Sequence, residues 1–273
     1  MFVVDVIGGL GNQMFQYAFA RSLAIRRGLP VKLNLATFTS YALRRYGLSQ
    51  FNVVEDIATP TDLTMMLRDG VIYRETAHYT FEPRALSLPA PAYLNGHFQS
   101  YKYFQDIEPL IRQEFTLKAP PDPLNAQVAR MIGERNAVCL HVRRTDYVTD
   151  RGTNAVHGTC PPEYYAACVD YIRQRESELT LFVFSDDIYW AQANLRFEVP
   201  TIYVGHNAAD RDAEDLRLMS ACKHFVIANS SFSWWAAWLA AQPGRIVCAP
   251  GRWITANPDT GDLLPPDWVR AQY

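Results

Sequence analysis

The chain has 273 residues, 49% of them apolar and 20% charged, and carries a formal net charge of -2 at neutral pH. This length suits one large or two modest domains, and the near-neutral balance excludes non-specific nucleic-acid binding, which needs a strongly basic surface. No apolar run approaches the roughly 18 to 20 residues that cross a bilayer, and the N-terminal MFVVDVIGGLGNQ lacks the positive region of a signal peptide, so the expectation is a cytoplasmic protein, at most peripheral to the inner face of the membrane.

Val3 to Ile7 is a short apolar run followed by Gly8-Gly9-Leu10-Gly11-Asn12-Gln13. Met14, Phe15, Tyr17, Ala18, Ala20, Leu23 and Ala24 then recur at helical spacing up to Gly28, and residues 30–35 read as a second strand. Strand, glycine turn, helix and strand open an α/β domain. Between Phe38 and Leu94 the pattern weakens into loops and short helices. A strand is expected over 92–98 and a helix over 106–115. Lys118-Ala-Pro-Pro-Asp-Pro123 is the clearest breaker cluster, dividing the chain into domains 1–120 and 121–273.

Beyond it the alternation is regular. Strands are legible at 137–142, 179–184, 201–204, 224–228 and 245–249, and helices at 162–175, 188–195, 213–221 and 232–241. Short continuous apolar strands between helices predict a parallel sheet covered on both faces. The five cysteines (139, 160, 168, 222 and 248) include no C-x-x-C and read as reduced core thiols.

Ligands of such sheets bind at the carboxyl ends of strands, and there the polar residues gather. The strand over 137–142 runs into Arg143-Arg144-Thr145-Asp146, preceded by His141; the next runs into Ser185-Asp186-Asp187; the fourth runs into Asn229-Ser230-Ser231-Phe232-Ser233 and a helix. The hydroxyl cluster reads either as a helix N-cap or as a phosphate site, where backbone amides and the helix dipole favour an anion. Neighbouring residues of a strand face opposite ways, so at most one of the two arginines meets a given ligand directly. Its planar fork suits a pyrophosphate.

The N-terminal turn fits only part of a dinucleotide fingerprint. Gly9 and Gly11 match the first two glycines of G-x-G-x-x-G, but Met14 takes the third place and Asn34 stands where an acidic residue would hold a ribose. What remains is a tight turn presenting the amides of Asn12 and Gln13 to a ligand. Asp210-Arg211-Asp212 has the form of a metal-binding D-x-D but is better explained as helix-start capping. The six histidines show no metal-ligand spacing.

At these residues the chain resembles the bacterial α-1,2-fucosyltransferases, glycosyltransferase family 11. The segments that carry the likeness are GGLGNQMFQY from Gly8 to Tyr17, HVRRTDY from His141 to Tyr147, FSDDI from Phe184 to Ile188 and ANSSFSWW from Ala228 to Trp235. A further segment, GHFQSYKYF from Gly96 to Phe104, is similar, with His97 where an aromatic and Tyr101 where an acidic residue is expected. The resemblance implies a GT-B glycosyltransferase, α/β with two Rossmann-like lobes and a central cleft. GDP-fucose is its donor, a galactose-terminated oligosaccharide its acceptor, and inversion its stereochemistry, with no metal or cofactor.

It also implies roles. Arg143 is the main phosphate partner and Arg144 supports the site; Ser231, Phe232 and Ser233, with Asn229 and Ser230 beside them, hold the pyrophosphate; Asn12, with Gly9, Gly11 and Gln13, comes from the first lobe. Asp186 or Asp187, next to Ser185, meets the guanine, as does His141. Asp146 is either the general base or the carboxylate that orients an arginine. The segment over 145–161 reads as a long loop that orders on donor binding. Sugar-stacking aromatics are available at Phe38, Tyr41, Tyr46, Tyr101 and Tyr103, and Gln99, Tyr101 and Tyr103 are the acceptor-side candidates. A protein fucosyltransferase and a non-catalytic nucleotide-sugar binder are the competing readings.

Overall fold

The computed structural model describes residues 1–39, 44–255 and 261–273, so Tyr41 lies outside the described residues. The chain divides into two compact units: Met1–Ala119 with Gly261–Pro265, and the remainder from Pro120 onward.

In the first unit, β1 (Phe2–Asp5) turns through two glycines into α1 (Leu10–Arg27). Gly8 sits at φ 77°, where a Cβ would lie 2.9 Å from Asn12 Nδ2, so this is the position that demands glycine. The helix stops at Gly28, left-handed at φ 62°, whose amide closes on the carbonyls of Ala24 and Ile25. Then come β2 (Val31–Asn34), α2 (Pro60–Asp69), β3 (Val71–Arg74), β4 (Ala92–Asn95) and α3 (Glu108–Glu114). A capping box between Thr59 and Asp62, with Pro60 in the first turn, starts α2. The strand expected over 92–98 ends early because the chain turns at Gly96 and Phe98, the latter at φ 52°. The sheet is parallel, in the order β2-β1-β4-β3.

The second unit runs α4 (Pro123–Gly133), β5 (Asn136–Val142), α5 (Thr145–Thr149), α6 (Arg151–His157), α7 (Pro162–Arg173), β6 (Leu179–Ser185), α8 (Ile188–Asn194), β7 (Thr201–Val204), α9 (Asp212–Ala221), β8 (His224–Val226), α10 (Ser231–Leu239), β9 (Val247–Pro250) and β10 (Val269–Ala271). Its sheet is also parallel, ordered β10-β9-β8-β5-β6-β7. β5 is buried over Ala137–Val142 and β6 over Leu179–Phe184, which is why both read as unbroken apolar runs. The end of the breaker cluster opens α4: Asp122 accepts from the amides of Leu124 and Asn125 at 2.9 Å, and Pro123 occupies a first-turn position where no N–H is needed.

Both sheets reverse their winding. From β1 the chain goes to β2 on one side and later to β4 on the other; from β5 it goes to β6 on one side and later to β8 on the other. Each unit therefore has a switch point at its strand ends, between β1 and β4 and between β5 and β8. These crevices are where open α/β sheets take ligands.

All five cysteines are buried and unpaired. No helix among the described residues is long and apolar enough to cross a membrane.

Candidate active site

The switch point of the second sheet collects the polar strand ends. Adjacent strands β8, β5 and β6 bring Asn229–Ser233, His141–Asp146 and Ser185–Asp187 side by side. Arg143 is gripped by two carboxylates: its Nη2 donates to Asp146 Oδ1, and its Nη1 pairs with Asp186 Oδ2 at 2.9 Å. Its side chain keeps 20% of its surface exposed, so the fork is fixed in direction yet reachable. Tyr147 lies 5.4 Å below the guanidinium.

Asp186 does more than pair. Its Oδ1 accepts from the Arg144 amide at 2.8 Å and its Oδ2 from the Thr145 hydroxyl at 2.6 Å, so three consecutive residues after β5 hang on one carboxylate. Engaged in this way, Asp186 clamps the segment that follows β5. Asp187 accepts from the Trp190 amide at 3.1 Å as the N-cap of α8, and its own amide donates to Ser185 Oγ at 3.0 Å. The Arg144 guanidinium carbon lies over the Trp190 ring, 3.6 Å from its centroid, a cation–π contact that holds it beside the site.

On the other flank, α10 begins at Ser231 with no side-chain cap from Ser230. The positive end of the helix dipole lies at these strand ends. Ser233 is fully buried and its hydroxyl turns back on the carbonyls of Ser230 and Ala228. Trp234 and Trp235, both 0% exposed, anchor the helix in the core. Asn229 ties three segments together: its amide donates to His157 O at 2.9 Å and Trp253 O at 3.1 Å, and its oxygen accepts from Cys160 Sγ.

The segment expected to be a loop over 145–161 is instead largely helical. Asp150 caps α6, Tyr147 and His157 stack with centroids 4.7 Å apart, and Tyr147 OH donates to Asn229 O at 3.3 Å. Its helices are only 5 and 7 residues long, too short to leave a clear periodicity.

In the first unit, several expected ligand groups are turned inward. The amides of Asn12 and Gln13 both donate to Gly9 O, closing the first turn of α1 instead of meeting a ligand. The Gln13 side chain is fully buried between Gly8 O, Arg45 O and the Gly47 amide. Gly11 is buried in that same turn. Tyr103 is 0% exposed, wedged edge-on against Phe19 and Phe81, so it is a core residue rather than a sugar platform. Gln99 is 7% exposed and donates to Asn12 Oδ1 at 2.8 Å. Tyr101, by contrast, remains half-buried.

The profile of glycosyl transferase family 11 matches residues 1–271. An α-1,2-colitosyltransferase of Escherichia coli is 30% identical, with 99% of this chain and 98% of that protein covered. The O-antigen biosynthesis glycosyltransferase WbnK, also of Escherichia coli, is 31% identical over 96% of this chain and 97% of its own. The chain belongs to glycosyl transferase family 11. Among solved structures, the fucosyltransferase NodZ from Bradyrhizobium superposes with a TM-score of 0.55 at 13% identity, covering 90% of this chain and 95% of that one. The two sheet-containing lobes are thus a GT-B-like glycosyltransferase architecture.

For this family 11 chain, sequence reasoning missed Thr145, whose hydroxyl completes the Asp186 clamp, and Trp190, the platform for Arg144. A Trp two residues after a strand-end Asp-Asp-Ile was the signal for the second. It also missed the partnership of Glu75, His78 and His97, distant in sequence and unlike any short metal motif. Their ligand atoms lie within 4.8 Å of one another, making them the one group of this kind among the described residues. In this arrangement the buried Glu75 carboxylate accepts from the amides of His97 and Phe98 and from His78 Nδ1.

His141 is among the buried residues of the site. It is 5% exposed, its ring lies 5.8 Å from Phe232, and its Nδ1 has no hydrogen-bond partner among the described residues. Burial pushes its pKa down from 6.5 to about 4, with the Arg143 charge acting in the same direction and Asp186 opposing. The folded chain thus binds fewer protons than the unfolded one between these values. The stability due to neutral His141 is present in full above pH 6.5 and is lost as pH falls towards 4. Chemical denaturation at stepped pH should show this slope, and His141→Gln should flatten it; an unchanged slope would place the titration elsewhere.

Proposed function

We propose that this protein transfers L-fucose from GDP-fucose, with inversion, to the 2-hydroxyl of a galactose residue in a glycan acceptor. The observation that carries the reading is Arg143, held by two carboxylates at the switch point beside the start of α10. As the acceptor hydroxyl attacks the sugar C1, giving up its proton to a carboxylate or to solvent, the bond from C1 to the β-phosphate oxygen breaks and negative charge grows on the departing GDP. A rigid guanidinium and a helix N-terminus are suited to stabilise that charge without reorganising. The relatives support the sugar class: a galactoside 2-alpha-L-fucosyltransferase of Bos taurus, SEC1, is 27% identical over 88% of this chain and 64% of its own length.

In this reading His141 and Asp187 are the guanine-side groups. Asp146, already paired with Arg143, is the carboxylate that positions it. Because Arg143 engages its Oδ1, a general-base role would fall to the other oxygen of the same carboxylate. The reaction needs no metal, because Arg143 and the α10 dipole supply the positive charge.

The colitosyltransferase relative, which covers nearly the whole chain, favours a second reading in which the donor sugar is colitose, a fucose lacking one hydroxyl. Purified protein incubated with EDTA, lactose and either GDP-fucose or the corresponding colitose donor separates the two. A 2-O-fucosyl galactose, identified by NMR, is the expected product at undiminished rate with EDTA. Turnover of the colitose donor alone would establish the second reading, and a rate restored only by added divalent metal would refute metal independence.

A further inference from the structure

The switch point of the first sheet is built as a binding site in its own right. The last residues of all four strands, Asn34, Asp5, Asn95 and Arg74, fall in a single row across β2, β1, β4 and β3. Tyr93 stands one step behind, on the same face of β4. Asp5 is the centre of the row. Its Oδ1 accepts from Asn34 Nδ2 at 2.7 Å and from Tyr93 OH, and its Oδ2 from Asn95 Nδ2 at 2.7 Å.

A cavity of about 360 Å³ opens over this row, lined by Asp5, Tyr93, Asn95 and Arg74 on the polar side and by Leu63, Leu67 and Ile72 on the apolar side. That volume is within the range of ligand pockets, roughly 300–1,000 Å³. Two residues of the apolar wall are open to solvent, Leu67 at 66% and Ile72 at 44% exposure. Arg74 makes no ion pair among the described residues, although a carboxylate lies in the same pocket.

We infer that this pocket is a pyranose subsite, and that its occupant is a neutral sugar ring of the acceptor; this rests on the fucosyltransferase reading above. Each sugar hydroxyl is donor and acceptor at once. Neighbouring hydroxyls can donate to the second lone pair of Asp5 Oδ2 and to the Asn95 amide oxygen, while accepting from the Arg74 guanidinium. The C–H face of the ring then lies against Leu63, Leu67 and Ile72. Asp5 is prepared for this because three protein donors hold it in one orientation. These residues replace Tyr103, buried in the core, as the sugar-binding groups of this unit.

The test uses the full chain with selectively protonated Leu and Ile methyl groups. Saturation transfer from those methyls to lactose, N-acetyllactosamine or methyl β-galactoside is the expected result, with GDP present. Leu67→Trp plugs the pocket from an exposed position without touching the hydrogen-bonded row, and should abolish that transfer. In kinetics, Leu67→Trp and Arg74→Ala should raise the acceptor KM by about tenfold, the effect of losing about 1.4 kcal/mol of binding, while the KM for GDP-fucose and its slow hydrolysis without acceptor stay unchanged. No saturation transfer from any probe, or an acceptor KM indifferent to Leu67→Trp, would overturn the assignment. Failure of the wild type to bind or hydrolyse GDP-fucose would instead overturn the fucosyltransferase reading.

Discussion

Arg143→Ala is expected to lower kcat for fucosyl transfer by about 100- to 1,000-fold, the usual cost of removing one preorganised group that stabilises transition-state charge. Arg143→Lys should recover little. The guanidinium uses separate nitrogens for Asp146 and Asp186, and a lysine ammonium cannot reproduce that planar, two-sided grip while still meeting a phosphate. Steady-state kinetics with a saturating donor would show the effect in kcat. An Arg143→Ala enzyme that kept wild-type kcat would remove Arg143 from the reaction and with it the proposed mechanism.

The second large effect belongs to Asp186→Asn. The side chain keeps its shape and can still accept from either the Arg144 amide or the Thr145 hydroxyl, but it loses the charge that draws in Arg143. Charge-assisted hydrogen bonds are worth about 1.5–3 kcal/mol, which corresponds to roughly a 10- to 100-fold loss. This is smaller than for Arg143→Ala because Asp146 still holds the guanidinium. The loss should appear in kcat with the donor KM little changed, as befits a positioning residue, beside a drop of a few degrees in the thermal midpoint. Asp146→Asn combined with Asp186→Asn should cost more than the sum of the two single changes, since only the double variant frees the arginine; strict additivity would show that the two carboxylates act independently.

The alternation of short apolar strands and helices after residue 136 made the second unit legible, because its central strands are covered on both faces and carry almost no polar residues. The first unit was legible at its start and again at β4 and α3, but not between them. β3 is a four-residue edge strand whose apolar Val71 and Ile72 are exposed, too short to stand out from its surroundings, and α2 begins at a proline that also reads as a breaker. The candidate site was legible as a set of strand ends. Its arginines, acidic pair and serine cluster stand where an α/β sheet binds ligands, and that much follows from the order of residues along each strand.

The sequence by itself determined which residue types stand at the carboxyl ends of the strands, because a strand's length and its following turn are local properties. Only the tertiary structure decided which of those side chains face a ligand and which are tied to the protein. Asp186 and Gln13 look like binding groups in one dimension, yet hydrogen bonds to residues 41–42 and 32–34 positions away hold them in place. The row of Asn34, Asp5, Asn95 and Arg74 could not be foreseen at all. It exists because parallel pairing aligns four strand ends drawn from 90 residues of chain, and strand register is a long-range property that no local pattern records.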